Sequence, residues 1–145
     1  MGRYLAAADI SASGLAAERI RMQVIANNVA NANTTHTEGG GPYRRQQVVF
    51  APMLKDALAN FGDARLNAGG VRVAGIEPDL SALPKVYDPG HIDADDNGFV
   101  TLPNISIAKE MVDMITASRS YEANLQALRN LRSMFESSLA LLRNV

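Results

Sequence analysis

The sequence has 145 residues, a formal net charge of −1 and a hydrophobic fraction of 47%, which is material for one ordinary domain or a small domain with extensions. Its largest basic cluster, Arg44-Arg45, is too small for a nucleic-acid surface, and no apolar run reaches the roughly 18 residues needed to span a bilayer. The complete lack of cysteine excludes disulfides, thiolate catalysis and cysteine metal sites.

Near the N-terminus, Leu5-Ala6-Ala7-Ala8 is cut short by Asp9, and Arg3 is the only nearby cation. That is no secretory signal, so composition alone predicts a cytosolic protein. From Tyr4 to Asn33 the sequence reads as a helix. Leu15, Met22 and Val29 repeat at sevenfold spacing with Ile25 beside them. A neighbouring stripe runs Ala17, Ile20, Val24 and then turns polar at Asn27 and Asn31. About 30 residues of helix reach roughly 45 Å. Asn27, Asn28, Asn31 and Asn33 crowd its end although Asn is a poor helix former. They are either caps of a fraying end or amides that pair across a helix interface and fix register.

The middle differs. Thr34 to Pro42 is a loop, Tyr43 to Phe50 a strand, and Pro52 a possible start for a short helix with Met53, Leu54, Ala57, Leu58 and Phe61 on one face. Gly62 to Gly70 is again loop. Val71 to Ala74, Lys85 to Tyr87 and Gly98 to Leu102 are further short strands. Asp93-Ala94-Asp95-Asp96-Asn97-Gly98 matches the start of a calcium-binding EF loop, but the twelfth position is Asn104, where a bidentate Glu is required. Pro89-Gly90 forbids the entering helix, so an Asx-rich turn is the plainer expectation. His36 and His91 are isolated in loops. Gly39-Gly40-Gly41-Pro42 lacks the Lys-Ser/Thr of a phosphate loop. Ser11, Ser13 and Ser118 sit in helices with no His or acid at a telling spacing. No active site, cofactor, metal or small-molecule substrate is indicated.

The last forty residues organise the chain. Ile107, Met114, Tyr121, Leu128, Phe135 and Leu142 recur at seven. Met111, Ser118, Leu125, Arg132 and Leu139 interleave, giving an a/d register over five heptads without Gly or Pro. Asn104 is the expected N-cap, Glu110 and Asp113 put negative charge in the early turns, and Arg143 puts positive charge at the end. Arg132, at an a position, either pairs across the seam or snorkels. About 38 residues of helix span roughly 57 Å, whereas a compact chain of this size has a radius of gyration of roughly 15 Å. The helix must project, and its seam needs cover from an intramolecular hairpin or from other chains. The expected fold is mainly α with a small β module: residues 1–34 and 104–145 form a coiled-coil-like arm, and residues 35–103 form the short-stranded module between them.

Several motifs resemble one family. Ser13-Gly14-Leu15-Ala16-Ala17-Glu18-Arg19, followed by Asn27-Asn28-Val29-Ala30-Asn31-Ala32-Asn33-Thr34, resembles the N-terminal signature of bacterial flagellar rod and hook proteins. Ser118-Arg119-Ser120-Tyr121-Glu122-Ala123-Asn124 is similar to their C-terminal counterpart. Pro42 to Phe50, Tyr87-Asp88-Pro89, Gly98 to Asn104 and Glu110-Met111-Val112 narrow the resemblance to the proximal rod of the basal body. The resemblance implies a non-enzymatic part of the drive shaft crossing the periplasm, exported without a cleaved signal through the flagellum's own type III apparatus, which reverses the cytosolic expectation. The implied partners are other rod proteins, copies of the same chain, and the export apparatus with its base. The residues expected to carry helix packing and assembly are Leu15, Met22, Ile25, Asn27, Asn28, Val29 and Asn31, with Ile107, Met111, Met114, Tyr121, Asn124, Leu125, Leu128 and Phe135. Ala51 to Ala68 is longer than the family's usual loop. The alternative is a soluble calcium-dependent or adaptor-type binding module.

Overall fold

The computed structural model describes residues 2–54 and 68–143, with side chains described for 7–53 and 69–141. Helix α1 spans Gly2–Ala30 and helix α2 spans Ile107–Arg143. Between them lie β1 (Gln46–Leu54), β2 (Ala68–Pro78), β3 (Lys85–Tyr87) and β4 (Phe99–Thr101). Two long terminal helices therefore bracket a small antiparallel strand module, and roughly half of the chain is helical.

Helix α1 has no proline and many alanines, so propensity and length agree. Its end is closed locally. Asn31 N–H bonds the Asn27 carbonyl, the Asn31 side chain donates to that same carbonyl at 2.9 Å, and Thr34 Oγ1 donates to Asn31 Oδ1 at 3.1 Å. Helix α2 starts two residues later than the cap expected at Asn104. The Ser106 carbonyl accepts the first helical bond, from Glu110 N–H at 2.9 Å, which makes Ser106 the N-cap. The Asn104 side chain is occupied elsewhere, as described below.

The helices run antiparallel: Asn28 bonds Glu110, and a Cβ on Gly14 would press on the Asn124 side chain at 3.0 Å. Equal lengths of the two helices separate these crossings. On α1 the buried residues are Ala17, Val24, Ile25 and Asn28. On α2 they are Glu110 and Ala117, with Met114, Tyr121, Asn124, Leu128 and Leu131 half-buried along the same face. The first predicted row of α2 holds through Met114, Tyr121 and Leu128. The second is displaced by one residue, from Met111, Ser118, Leu125 and Arg132 to Glu110, Ala117, Asn124 and Leu131. Small side chains let the helices approach closely, and the larger Met111 is left 58% exposed. Arg132 does not enter the seam: it is 82% exposed and bonds Glu136 one turn on, at 2.8 Å.

Strands β1 and β2 form an antiparallel hairpin with irregular register at Val49/Phe50 and again at Pro52/Leu54. The expected short helix at Pro52 is not formed. Pro52 pairs with Val71, and β1 continues to Leu54. Proline is tolerated here because the sheet has only two strands, so its missing N–H lies beside a bulge on an edge. Ala57, Leu58 and Phe61 lie outside the described residues. Helix α1 packs against both α2 and this hairpin, which are not packed on each other.

Where β2 meets α1, Gly70 has φ of +99° and a Cβ there would overlap Ser13 Oγ. That hydroxyl accepts from Val71 N–H at 3.1 Å and donates to the Ile10 carbonyl at 2.7 Å. Gly70→Ala is expected to lower stability by about 1–3 kcal/mol through backbone strain alone, seen as a reduced thermal midpoint. An unchanged midpoint would contradict the contact.

The second hairpin pairs Val86 with Val100, the latter 2% exposed. Tyr87 and Phe99 meet edge to face with ring centroids 5.4 Å apart. In the acidic connection, Asp95 Oδ1 accepts from Asn97 N–H at 3.0 Å and Phe99 N–H at 2.9 Å. Thr35 Oγ1 donates to Asp93 Oδ2 at 2.7 Å, tying the connection to the end of α1.

Candidate assembly surface

The apolar core is thin: Ala17, Val24, Ile25, Val100 and Ala117 are its buried hydrophobic residues among those described. The two largest polar side chains in the interior, Asn28 and Glu110, are both fully buried. Asn28 Nδ2 donates to the Gln46 carbonyl at 2.8 Å and to Glu110 Oε2 at 3.0 Å. Its Oδ1 accepts from Gln46 N–H at 2.9 Å and from Tyr43 Oη at 3.3 Å. The amide thus uses both donors and both acceptor positions, bonding the start of β1 as a neighbouring strand would.

Glu110 Oε1 accepts from Arg45 Nε at 2.6 Å. Arg45 also donates to Asp113 Oδ2 at 3.3 Å and lies 3.9 Å from Asp79 Oδ2. Its own N–H donates to Asn104 Oδ1 at 2.9 Å, while Asn104 Nδ2 donates to the Asp79 carbonyl and to Ser81 Oγ. One connected node therefore joins the end of α1, the start of β1, the segment after β2 and the first turns of α2. It fixes where the strand module leaves the helices. The Ser81 N–H and hydroxyl hold Asp79 below the usual aspartate range, with Arg45 adding to the effect.

Burial, and next the negative charge of Glu110, push the Tyr43 phenol above its ordinary value of 10.0. The native state therefore holds this proton more tightly than the unfolded chain. The stability tied to it is complete below pH 10.0 and is lost as pH rises towards the folded pKa. Unfolding midpoints are expected to fall on alkaline titration through this range, and Tyr43→Phe should remove that component. An identical alkaline slope in the variant would contradict it.

The node leaves much apolar surface outside. Ile107, Met111, Val112 and Ile115 are 46%, 58%, 62% and 54% exposed on the early turns of α2. On its last turns Phe135, Leu139 and Leu141 are 42%, 45% and 72% exposed. Phe135 and Leu139 continue the face that packs on α1, and α2 is the longer helix by 37 residues to 29.

Of the residues expected to carry packing, the structure brings Ile25, Asn28, Met114, Tyr121, Asn124 and Leu128 to the buried or half-buried face. Leu15, Met22 and Leu125 are half-buried at its margins, while Val29, Ile107, Met111 and Phe135 are exposed. Asn27 is exposed, and Asn31 is satisfied within the last turn of α1. Within the chain, the amide that joins α1 to β1 and α2 is Asn28. Tyr43, Arg45, Asp79 and Glu110 were missed as site residues. The available signal was a glutamate placed beside an apolar seam, one turn into a helix. Among the described residues no group of three or more His, Asp or Glu side chains is arranged to hold a metal ion, and no helix is long and apolar enough to cross a membrane.

Two long terminal helices with exposed apolar side chains, locked to a small strand module, define the architecture. Two family models match such ends: one described as flagella basal body rod protein, over residues 9–35, and one described as flagellar basal body rod FlgEFG protein C-terminal, over residues 96–141. The chain is 46% identical to the flagellar basal-body rod protein FlgC of Borreliella burgdorferi, over 93% of this chain and 95% of that one. It is 42% identical to FlgC of Aquifex aeolicus, over 90% of each, and 40% identical to FlgC of Salmonella typhimurium, over 92% and 93%. The chain belongs to the FlgC family of flagellar basal-body rod proteins.

Proposed function

We propose that this chain is a non-enzymatic structural component of the flagellar basal-body rod, and that it assembles with other rod proteins and with copies of itself through its terminal helices. The observation that carries this reading is the continuation of the helix seam through Phe135 and Leu139, apolar and exposed, on a helix longer than its partner. Such a face, beside a thin core, is stable in water only as a compromise; covering it with another helix removes the cost. In this reading the rod lies in the periplasm, the chain reaches it through the flagellum's own exporter, and residues 1–34 and 104–145 form the assembling arm while 35–103 form the module outside it.

The test is Phe135→Lys with Leu139→Lys. Both positions are exposed in the single chain, so its unfolding free energy should change by no more than about 0.5 kcal/mol for each. Detergent-extracted basal bodies from cells carrying the variant should lack the chain, and the cells should not swim. Intact rods containing the variant would contradict the reading.

A further inference from the structure

Asparagine followed by glycine is the dipeptide most open to spontaneous deamidation, because glycine has no side chain to keep its backbone nitrogen away from the asparagine amide. The sequence holds one such pair, Asn97-Gly98. It lies in the connection of the second hairpin, just before β4. Asn97 is exposed, and its side-chain amide makes no hydrogen bond among the described residues. Nothing on the side chain therefore resists attack. The backbone does. The Asp95 carbonyl accepts from Gly98 N–H at 2.8 Å, and Asp95 Oδ1 accepts from Asn97 N–H at 3.0 Å and from Phe99 N–H at 2.9 Å. On the far side of the glycine, its carbonyl accepts from Asp88 N–H at 2.9 Å. One residue, Asp95, thus binds all three amides around the reactive bond.

We propose that Asn97 is a deamidation site held inactive by the folded turn, so that residue 97 records the time this hairpin spends open. The reaction requires the Gly98 nitrogen to lose its proton and to bond to Asn97 Cγ. The carbon–nitrogen bond of the side-chain amide then breaks, ammonia leaves, and a five-membered succinimide remains. Water opens that ring at either carbonyl, giving aspartate or isoaspartate. In the folded turn the Gly98 proton is aimed at the Asp95 carbonyl. Bringing the nitrogen to Cγ means rotating the Asn97–Gly98 peptide out of that bond. The Asp95 contacts must open first, so the folded rate is the open-turn rate multiplied by the small fraction of time the turn is open.

The hazard cannot be removed at the glycine. Gly98 has φ of +79°, and a Cβ there would meet the Tyr87 ring at 2.9 Å, so the turn itself demands glycine. Protection comes from Asp95 instead. Either product adds a carboxylate beside Asp95 and Asp96. Isoaspartate also lengthens the backbone by a methylene and moves Phe99 and Val100 out of register with β3.

The full-length chain is kept in mildly alkaline buffer, folded and in urea. Residue 97 is followed by peptide mass spectrometry, with enzymatic methylation to mark isoaspartate. Conversion at Asn97 is expected to be at least about tenfold faster in urea, because several hydrogen bonds must open together in the folded chain. Asp95→Ala should raise the folded rate towards the urea rate, with circular dichroism showing that the variant is folded. Asp95→Asn keeps the accepting oxygen without the charge and should stay slow. Equal rates for the natural chain folded and in urea would overturn the proposal, and that comparison needs no variant. Faster conversion at another asparagine in urea would overturn it too, as would a folded Asp95→Ala chain that reacts as slowly as the natural one.

Discussion

Replacing Glu110 by alanine is expected to lower the unfolding free energy by about 3–5 kcal/mol, the usual cost of removing one partner from a buried charge pair. The carboxylate is fully buried, and its oxygens accept from Arg45 at 2.6 Å and Asn28 at 3.0 Å. Without it, Arg45 keeps Asp113 and Asp79 but loses its shortest and most buried hydrogen bond, and one amide hydrogen of Asn28 loses its acceptor. Total stabilities of about 5–15 kcal/mol are ordinary for a domain, so the variant should approach unfolding in mild denaturant. Chemical denaturation measures this directly, and a loss under about 1 kcal/mol would show that the node does not hold the fold. A cycle with Arg45→Ala should give a double variant less damaged than the sum of the singles, since the two groups act on each other.

Asn28→Leu is expected to be comparably severe. Leucine has similar bulk and better helix propensity, so a purely steric or propensity argument predicts a harmless or stabilising change. Four hydrogen bonds are lost instead, and the part-buried N–H and carbonyl of Gln46 lose these partners, at about 1 kcal/mol each. Asn27→Leu with Asn31→Leu is the control: Asn27 is exposed and Asn31 bonds only within its own turn and to Thr34. The double variant should stay close to wild type in denaturant, while Asn28→Leu unfolds early. Equal effects would refute the distinction between these amides.

The contrast among the asparagines shows how far the sequence could be read. Both helices were legible, because sevenfold spacing over many turns has no other explanation. The rotation of the α2 seam was not. The pattern marks the most apolar rows, whereas helix packing selects the rows that let backbones approach, here Gly14, Ala17, Ala117 and Asn124. Met111 and Ile115 are apolar yet face outward, so the strongest signal in the pattern includes surface that α1 does not use. Pro52 argued against a strand only if the strand were central; in a two-stranded sheet with a bulge it is permitted. Asn104 looked like a cap because nothing local revealed that Arg45 and Asp79 would claim its side chain. The node as a whole was illegible because its members lie in five separate stretches of the chain, and only folding brings them together.

Since α2 and the first hairpin each rest on α1 but not on each other, a shear applied to the hairpin has two routes to α2. One is the apolar face of α1, along which side chains can slide past one another. The other is the short, directional chain of bonds from the start of β1 through Arg45 to Glu110 and Asp113. Apolar contacts yield gradually under sideways load, whereas hydrogen bonds of fixed geometry resist until they break. The polar node is thus the stiff strut of the molecule, and the angle between its strand module and its helices is set there.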